Sequence, residues 1–211
     1  MNEATSSLTR AATVSVPRSV WWRVYSQKFN PLDFNGTDRG NARFSPIRDK
    51  DGGISPIIYC GSTPKVALME TVLHDVPLPS DGYIHISPTR EKEMRNIVGL
   101  SNRDPMTLVD LSTLGLRRLG LTRSQAIDSD KTHYRDTRQL AQWLYEARPD
   151  VQGIQWTSRQ NGNGRAIILC ETRLPPGSLE IHAAASNIAD ERWQVELCEL
   201  LDALECGLIS E

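Results

Sequence analysis

The order in which strand-like and helix-like segments follow one another restricts this chain more than any other feature. Short β-branched and aromatic runs fall at residues 20–25, 54–60, 83–87, 96–100, 107–111, 153–157, 166–170 and 179–182, and each reads as a strand. Helical periodicity appears at residues 64–75, weakly at 113–120, clearly at 134–147, and again after Asp190. The two kinds are mixed rather than strictly alternating. That order predicts an α+β fold, one compact mixed domain with a C-terminal amphipathic helix, rather than a doubly wound parallel sheet. With 211 residues, one such domain buries a sizeable core without disulfides or metal. The expected organisation is a flexible N-terminal tail at 1–18 and a folded domain at 19–211.

Local signals refine this. Pro56 confines its strand to an edge or a late start. Ser62 or Thr63 followed by Pro64 is a helix entry. In the helix that follows, Val66, Met69, Val72 and Leu73 form the apolar stripe, and Glu70 lies about 40° round from Val66 at ~100° per residue. A carboxylate there sits at the margin of the core, half shielded from water. Residues 26–53 read as a long polar loop, and loops of that length are usually functional or disordered. Leu140, Trp143, Leu144 and Ala147 make the stripe of the 134–147 helix. Turn-forming residues fill 158–164. Trp193, Leu197, Leu200, Leu201 and Leu204 stripe the last helix.

Composition excludes several function classes. A net charge of -2 argues against direct nucleic-acid binding, which needs a basic surface. The charge is uneven, however: residues 1–50 favour Lys and Arg, and the end is acidic, so a basic pocket for a small phosphorylated ligand fits the N-terminal half. No run of 18 apolar residues exists, so no membrane span is expected. Pro17 and Arg18 interrupt what would be a signal-peptide core. Cys60, Cys170, Cys198 and Cys206 have apolar neighbours and no ligand spacing, and the four histidines form no metal motif. Buried free thiols, no metal and a cytoplasmic setting follow as expectations. There is no phosphate loop, no dinucleotide glycine fingerprint and no nucleophile elbow. His133, alone at a helix start, is better read as structural than as a general base.

What remains is a set of polar residues set against apolar strands: Arg23, Arg43, Tyr59, Glu70 and Ser158. Each has an ordinary reading. Arg23 alternates outward, Arg43 pairs with a surface acid, Tyr59 is core with a satisfied hydroxyl, Glu70 is a helix-surface acid, and Ser158 opens a turn. Composition and spacing do not choose between these readings and a catalytic one.

A resemblance does. Trp22-Arg23-Val24-Tyr25, then Ala42-Arg43-Phe44, then Ile57-Ile58-Tyr59-Cys60-Gly61-Ser62-Thr63-Pro64 with Ala67-Leu68-Met69-Glu70, resemble the RES domain, named for its Arg, Glu and Ser. Leu108-Val109-Asp110-Leu111, the Tyr134…Thr137…Leu140-Ala141 helix start and Gly153-Ile154-Gln155-Trp156-Thr157-Ser158-Arg159 continue the likeness. It runs from about Trp22 to about Cys170. Many members carry Gly-Gly-Arg-Trp where this chain has Asn41-Ala42-Arg43-Phe44.

The resemblance implies an ADP-ribosyltransferase-like fold and a toxin of a toxin–antitoxin system that consumes NAD, with an Xre-type antitoxin as its partner. Within it, Glu70 is the expected electrostatic stabiliser of the ribose cation that forms when the nicotinamide bond breaks. Arg23 and Arg43 suit the pyrophosphate, since a guanidinium offers a two-pronged donor. Tyr59 stacks on nicotinamide or holds a ribose hydroxyl, and Ser158 orients Glu70 or the ribose. If inorganic phosphate is the acceptor, Arg39 or Arg159 supplies a second basic contact. Two alternatives stay open. One is a protein ADP-ribosyltransferase acting on a metabolic enzyme. The other is a non-catalytic module that offers its acidic C-terminal helix to a partner.

Overall fold

One eight-stranded sheet is the backbone of the fold; β-branched and aromatic runs build its strands, alternating in burial along residues 20–26 and buried on both faces in the centre. The computed structural model describes residues 8–38, 42–73, 83–85, 95–128, 133–158, 163–203 and 207–209. The strands are β1 (Thr13–Val16), β2 (Val20–Ser26), β3 (Ile47–Arg48), β4 (Ile54–Ser55), β5 (Ile57–Gly61), β6 (Tyr83–His85), β7 (Arg95–Asn102), β8 (Met106–Leu111), β9 (Gly153–Thr157), β10 (Arg165–Cys170), β11 (Leu179–Asn187) and β12 (Gly207–Ile209). The helices are α1 (Pro64–Thr71), α2 (Thr113–Arg118), α3 (Arg123–Ala126), α4 (Tyr134–Ala147) and α5 (Glu191–Ala203). The main sheet runs β1-β8-β9-β10-β5-β2-β7-β11. Its neighbours are antiparallel except β8 and β9. That parallel pair needs a long crossover, and α2, α3 and α4 lie in it. Small two-stranded pieces, β3 with β4 and β6 with β12, complete the α+β fold.

The sheet curls, and its core shows how. One face of β8, β9, β10 and β5 is covered by α2, α3 and α4 through Leu116, Ile127, Leu140, Ala141 and Leu144. On the other half, α1 and α5 pack Leu68, Met69, Trp193, Leu197, Leu200 and Leu201 near Ile97 of β7. A third cluster joins strands from both halves, with Trp21, Tyr25, Val98 and Leu100 meeting Ile58, Leu108, Ile167 and Leu169. Among the described residues no helical one enters that cluster, so this interior face packs on itself.

The curl turns at β2 and β5, which share one register pair, Trp22 with Gly61. Gly61 permits a close crossing there: a Cβ on it would stand 2.6 Å from the Ala67 nitrogen of α1 and 2.9 Å from Val66 Cγ1. The obstacle is helix backbone, so it cannot swing aside. Gly61→Ala is expected to destabilise the protein by about 1–3 kcal/mol through overpacking, seen as a lowered Tm. An unchanged Tm would mean that α1 does not bear on β5.

Several expectations are corrected. The segment expected as a tail reaches into the sheet: Thr13–Val16 pairs with Val109 to Met106, and Ala11 is buried. The expected polar loop at 26–53 is anchored by Phe44 and Ile47, both fully buried, and carries the β3–β4 hairpin. Pro56 splits the expected 54–60 strand in two. Helix α1 ends at Thr71 rather than near Asp75, which lies outside the described residues. Strand β11 extends five residues beyond the expected 182, through two register shifts against β7. In α4, Thr137, Leu140, Ala141 and Leu144 are the buried stripe, while Trp143 is 47% exposed. Trp143 lies about 100° round the helix from Leu144, enough to carry it off the buried face.

Candidate active site

The single Trp22–Gly61 pairing leaves β2 and β5 to diverge, and a second bridge closes the gap further along. There Asn35 and Ile57 exchange backbone hydrogen bonds of 2.7 and 3.1 Å. Between these two bridges the strands frame a cavity of about 730 Å3, within the range of small-molecule sites. Strand parity aims the Tyr59 peptide N–H and C=O into this gap, since the neighbouring Ile58 and Cys60 turn theirs to β10.

Arg23, Arg43, Tyr59 and Glu70 all line this cavity. Arg23 shares a face of β2 with Trp21 and Tyr25, the face buried by the curl, and only 9% of it is exposed. Its outward, solvated reading therefore does not apply. Its Nη1 donates to the Pro31 carbonyl at 2.6 Å, and its guanidinium lies 5.1 Å from the Tyr25 ring centroid. Burial holds its pKa below the ordinary arginine value, with nearby Cys60, Tyr25 and Asp33 opposing that shift. Among the described residues no carboxylate forms an ion pair with it. Proteins rarely leave a buried cation so lightly compensated unless an anion is to meet it.

Arg43 is 3% exposed and sits over the Tyr134 ring, 5.3 Å from its centroid. Its backbone carbonyl accepts a hydrogen bond from Thr137 of α4. Tyr59 is half-buried. Its hydroxyl accepts from the Phe44 N–H at 3.2 Å and donates to Ser45 Oγ at 3.3 Å. The hydroxyl thus fastens the turn that carries Arg43, and the ring is what Tyr59 offers to the cavity. Burial pushes its pKa up to about 12, so the hydroxyl stays a donor at physiological pH. The ring meets Trp156 edge-on at 6.1 Å, and Trp156 meets Phe44 at 5.0 Å.

Glu70 and Ser158 are brought together across 88 residues of sequence: Ser158 Oγ donates to Glu70 Oε1 at 2.7 Å. Glu70 is half-buried on α1, as its place beside the apolar stripe predicts. Ser158 is fully buried and stands behind Glu70 rather than in the cavity wall. The fold fixes it twice more, through its N–H to the Gly164 carbonyl at 2.9 Å and through long contacts from Arg123 to the Thr157 and Ser158 carbonyls. Arg123 is itself held by both oxygens of Asp128, at 2.9 and 3.1 Å.

Sequence reasoning passed over Arg123, Phe29, Asn35 and any role for Trp156. Only Trp156 carried a signal, its place beside Thr157 and Ser158. Arg39 and Arg159, the expected phosphate contacts, lie outside the described residues. His133 is exposed at the start of α4 and does not line the cavity. Burial raises the Cys60 and Cys170 thiols to about 12, so both stay neutral and are poor nucleophiles. Among the described residues no group of three or more His, Cys, Asp or Glu is placed to hold a metal ion, and no helix is long and apolar enough to cross a membrane. Trp193, Leu197, Leu200 and Leu201 of α5 are buried in the core, Leu204 lies outside the described residues, and Glu191, Glu199 and Asp202 are on the exposed side of the helix.

No curated protein matches this sequence. Among solved structures, the fold is similar to a chain of the MbcT-MbcA toxin-antitoxin complex of M. tuberculosis, with a TM-score of 0.65 and 16% identity over 93% of this chain and 98% of that one. This likeness is in the fold alone. The family model of the RES domain matches residues 20–195. That span takes in the diverging strands, α1 with Glu70, and Ser158, and on it this chain belongs to the RES domain family.

Proposed function

We propose that this protein is the toxin of a toxin–antitoxin pair and that it cleaves the nicotinamide–ribose bond of NAD, by phosphorolysis or hydrolysis. The observation that carries this reading is one cavity lined by two buried guanidinium groups and by a carboxylate that a buried serine holds in place. A dinucleotide presents a doubly anionic pyrophosphate and a ribose that becomes cationic as nicotinamide leaves. Arg23 and Arg43 neutralise the first, and Glu70 stabilises the second. The ring of Tyr59, framed by Trp156, gives the nicotinamide a flat partner. Ser158 orients the Glu70 carboxylate, which lowers the reorganisation needed as charge develops. Nicotinamide departs as a neutral molecule from a cationic pyridinium, so the leaving group needs no proton. The partner implied is an antitoxin of the Xre type that occludes the cavity, and the place of action is the cytoplasm.

The deciding experiment measures NAD loss by purified protein, with and without inorganic phosphate. Phosphate-dependent loss that yields a phosphorylated ADP-ribose marks a phosphorylase. Phosphate-independent loss marks a glycohydrolase. Slow turnover alone, with ADP-ribose appearing on a protein when cell extract is added, would replace this reading with protein ADP-ribosylation. If NAD neither binds nor disappears under any of these conditions, the proposal fails.

A further inference from the structure

Phe29 is the one large apolar side chain in the cavity lining that stands mostly in solvent, 61% exposed among the described residues. Leu114, Trp143, Ile181 and Val195, the other exposed large apolar side chains among the described residues, do not line the cavity. Leaving a phenyl ring in water forgoes burial free energy, so its position at a cavity wall calls for an occupant. The loop beneath it is firmly built. The Phe29 N–H donates to the Ser26 carbonyl at 3.1 Å, the Asn30 N–H donates to Asp33 Oδ2 at 2.7 Å, and Arg23 grips the Pro31 carbonyl at 2.6 Å. The ring is therefore presented by an anchored loop, and little ordering is left for a ligand to impose.

The cavity has an inner and an outer part. Its inner wall holds Trp156, 3% exposed, with the Tyr59 ring and Glu70. A bond whose cleavage is driven by fixed charges belongs where water is excluded, which puts the reacting nicotinamide half inside. The unreactive half of a dinucleotide then projects to the open side, past Arg23, where the exposed ring stands. Every nucleobase has a π-face that stacks on an aromatic side chain, and such stacking changes affinity by roughly 5- to 150-fold.

We propose that Phe29 is the stacking platform of an adenine subsite at the cavity mouth. This assignment rests on the NAD reading above and makes Phe29 a binding residue for the half of the substrate that does not react.

The test compares Kd for NAD, for ADP-ribose and for nicotinamide mononucleotide in wild type, Phe29→Ala and Phe29→Trp. Phe29→Ala is expected to weaken NAD and ADP-ribose about tenfold or more. It leaves nicotinamide mononucleotide, which lacks adenine, unchanged, and Phe29→Trp restores NAD affinity. Because the side chain is largely exposed, Tm is expected to hold within the small range typical of surface changes. Equal weakening of NAD and nicotinamide mononucleotide would place Phe29 against the reacting half and overturn the subsite. Unchanged NAD affinity in Phe29→Ala would overturn it as well, with the NAD reading intact. Failure of wild type to bind any of the three ligands would bring down the NAD reading and the subsite with it.

Discussion

Glu70→Gln is expected to lower kcat for NAD cleavage by about 10²–10³-fold while leaving Kd for NAD within a few-fold of wild type. The substitution keeps size and an acceptor oxygen for Ser158 Oγ, which now lies 2.7 Å from Glu70 Oε1, so the local packing is preserved. What it removes is the full negative charge that the NAD reading sets beside the ribose carbon. In bound NAD the positive charge is spread over the nicotinamide ring, so the carboxylate gains less from it than from a cation centred on the ribose. The negative charge matters most when the bond has lengthened and the ribose carries the cation. A loss confined to kcat is the signature of such an interaction. Ser158→Ala is expected to act in the same direction and more weakly, by about tenfold, because the carboxylate keeps its charge and loses its fixed orientation. Single-turnover rates of NAD loss, beside Kd from calorimetry, separate the two effects. Full kcat in Glu70→Gln would remove Glu70 from the chemistry.

Arg23→Met is expected to raise the stability of the protein and to cost it its ligand. Arg23 is 9% exposed, and among the described residues its guanidinium donates to a neutral carbonyl, that of Pro31. Burial lowers its pKa, with the opposing influences smaller. Folding thus disfavours the charged form, and since arginine stays charged throughout the physiological range, the penalty persists there. Methionine takes the same place on the buried face of β2, in line with Trp21 and Tyr25, without that penalty. Replacing an uncompensated buried charge by an apolar side chain of similar length commonly stabilises by about 1 kcal/mol or more, about 2–4 °C in Tm for a chain of this size. In the same variant NAD loses a buried, charge-assisted contact, expected to weaken Kd by roughly 30- to 10³-fold. Thermal melts with and without NAD read both effects together: a higher Tm without ligand, and a smaller rise on adding it. A lower Tm with undiminished NAD affinity would make Arg23 a structural residue.

Elements with strong local signals were legible in the sequence. Helix α4 spans residues 134–147 as its periodicity predicts, because an apolar stripe repeating at helical spacing has few other ways to be buried. Thr63 and Pro64 open α1, and the Thr63 hydroxyl accepts from the Val66 N–H at 3.2 Å. The continuous apolar run Ala166–Cys170 of β10 is buried on both faces, as such runs are in central strands, and neighbouring β9 is buried likewise, Gln155 included. Weaker signals misled. Thr13–Val16 is a short edge strand whose residues look like tail. The far half of β11, with Ala183, Ala184 and Ala185, has no strand pattern and is held by pairing with β7.

For the site, the sequence by itself determined the cast: which arginines, tyrosine, glutamate and serine stand flush against apolar segments, and, for Glu70, a half-shielded place at the edge of its helix. Tertiary structure alone decided what those residues do to one another. The curl of the sheet turned Arg23 inward, because alternation names two faces of a strand without saying which is buried. The divergence of β2 from β5 opened the cavity, because it follows from one register pair and the close crossing at Gly61. The meeting of Ser158 with Glu70 and the tethering of the Arg43 turn by the Tyr59 hydroxyl are contacts between distant segments. Local periodicity records which way a residue faces along its own element, whereas such contacts depend on how whole elements pack, and that is settled only when the chain closes on itself.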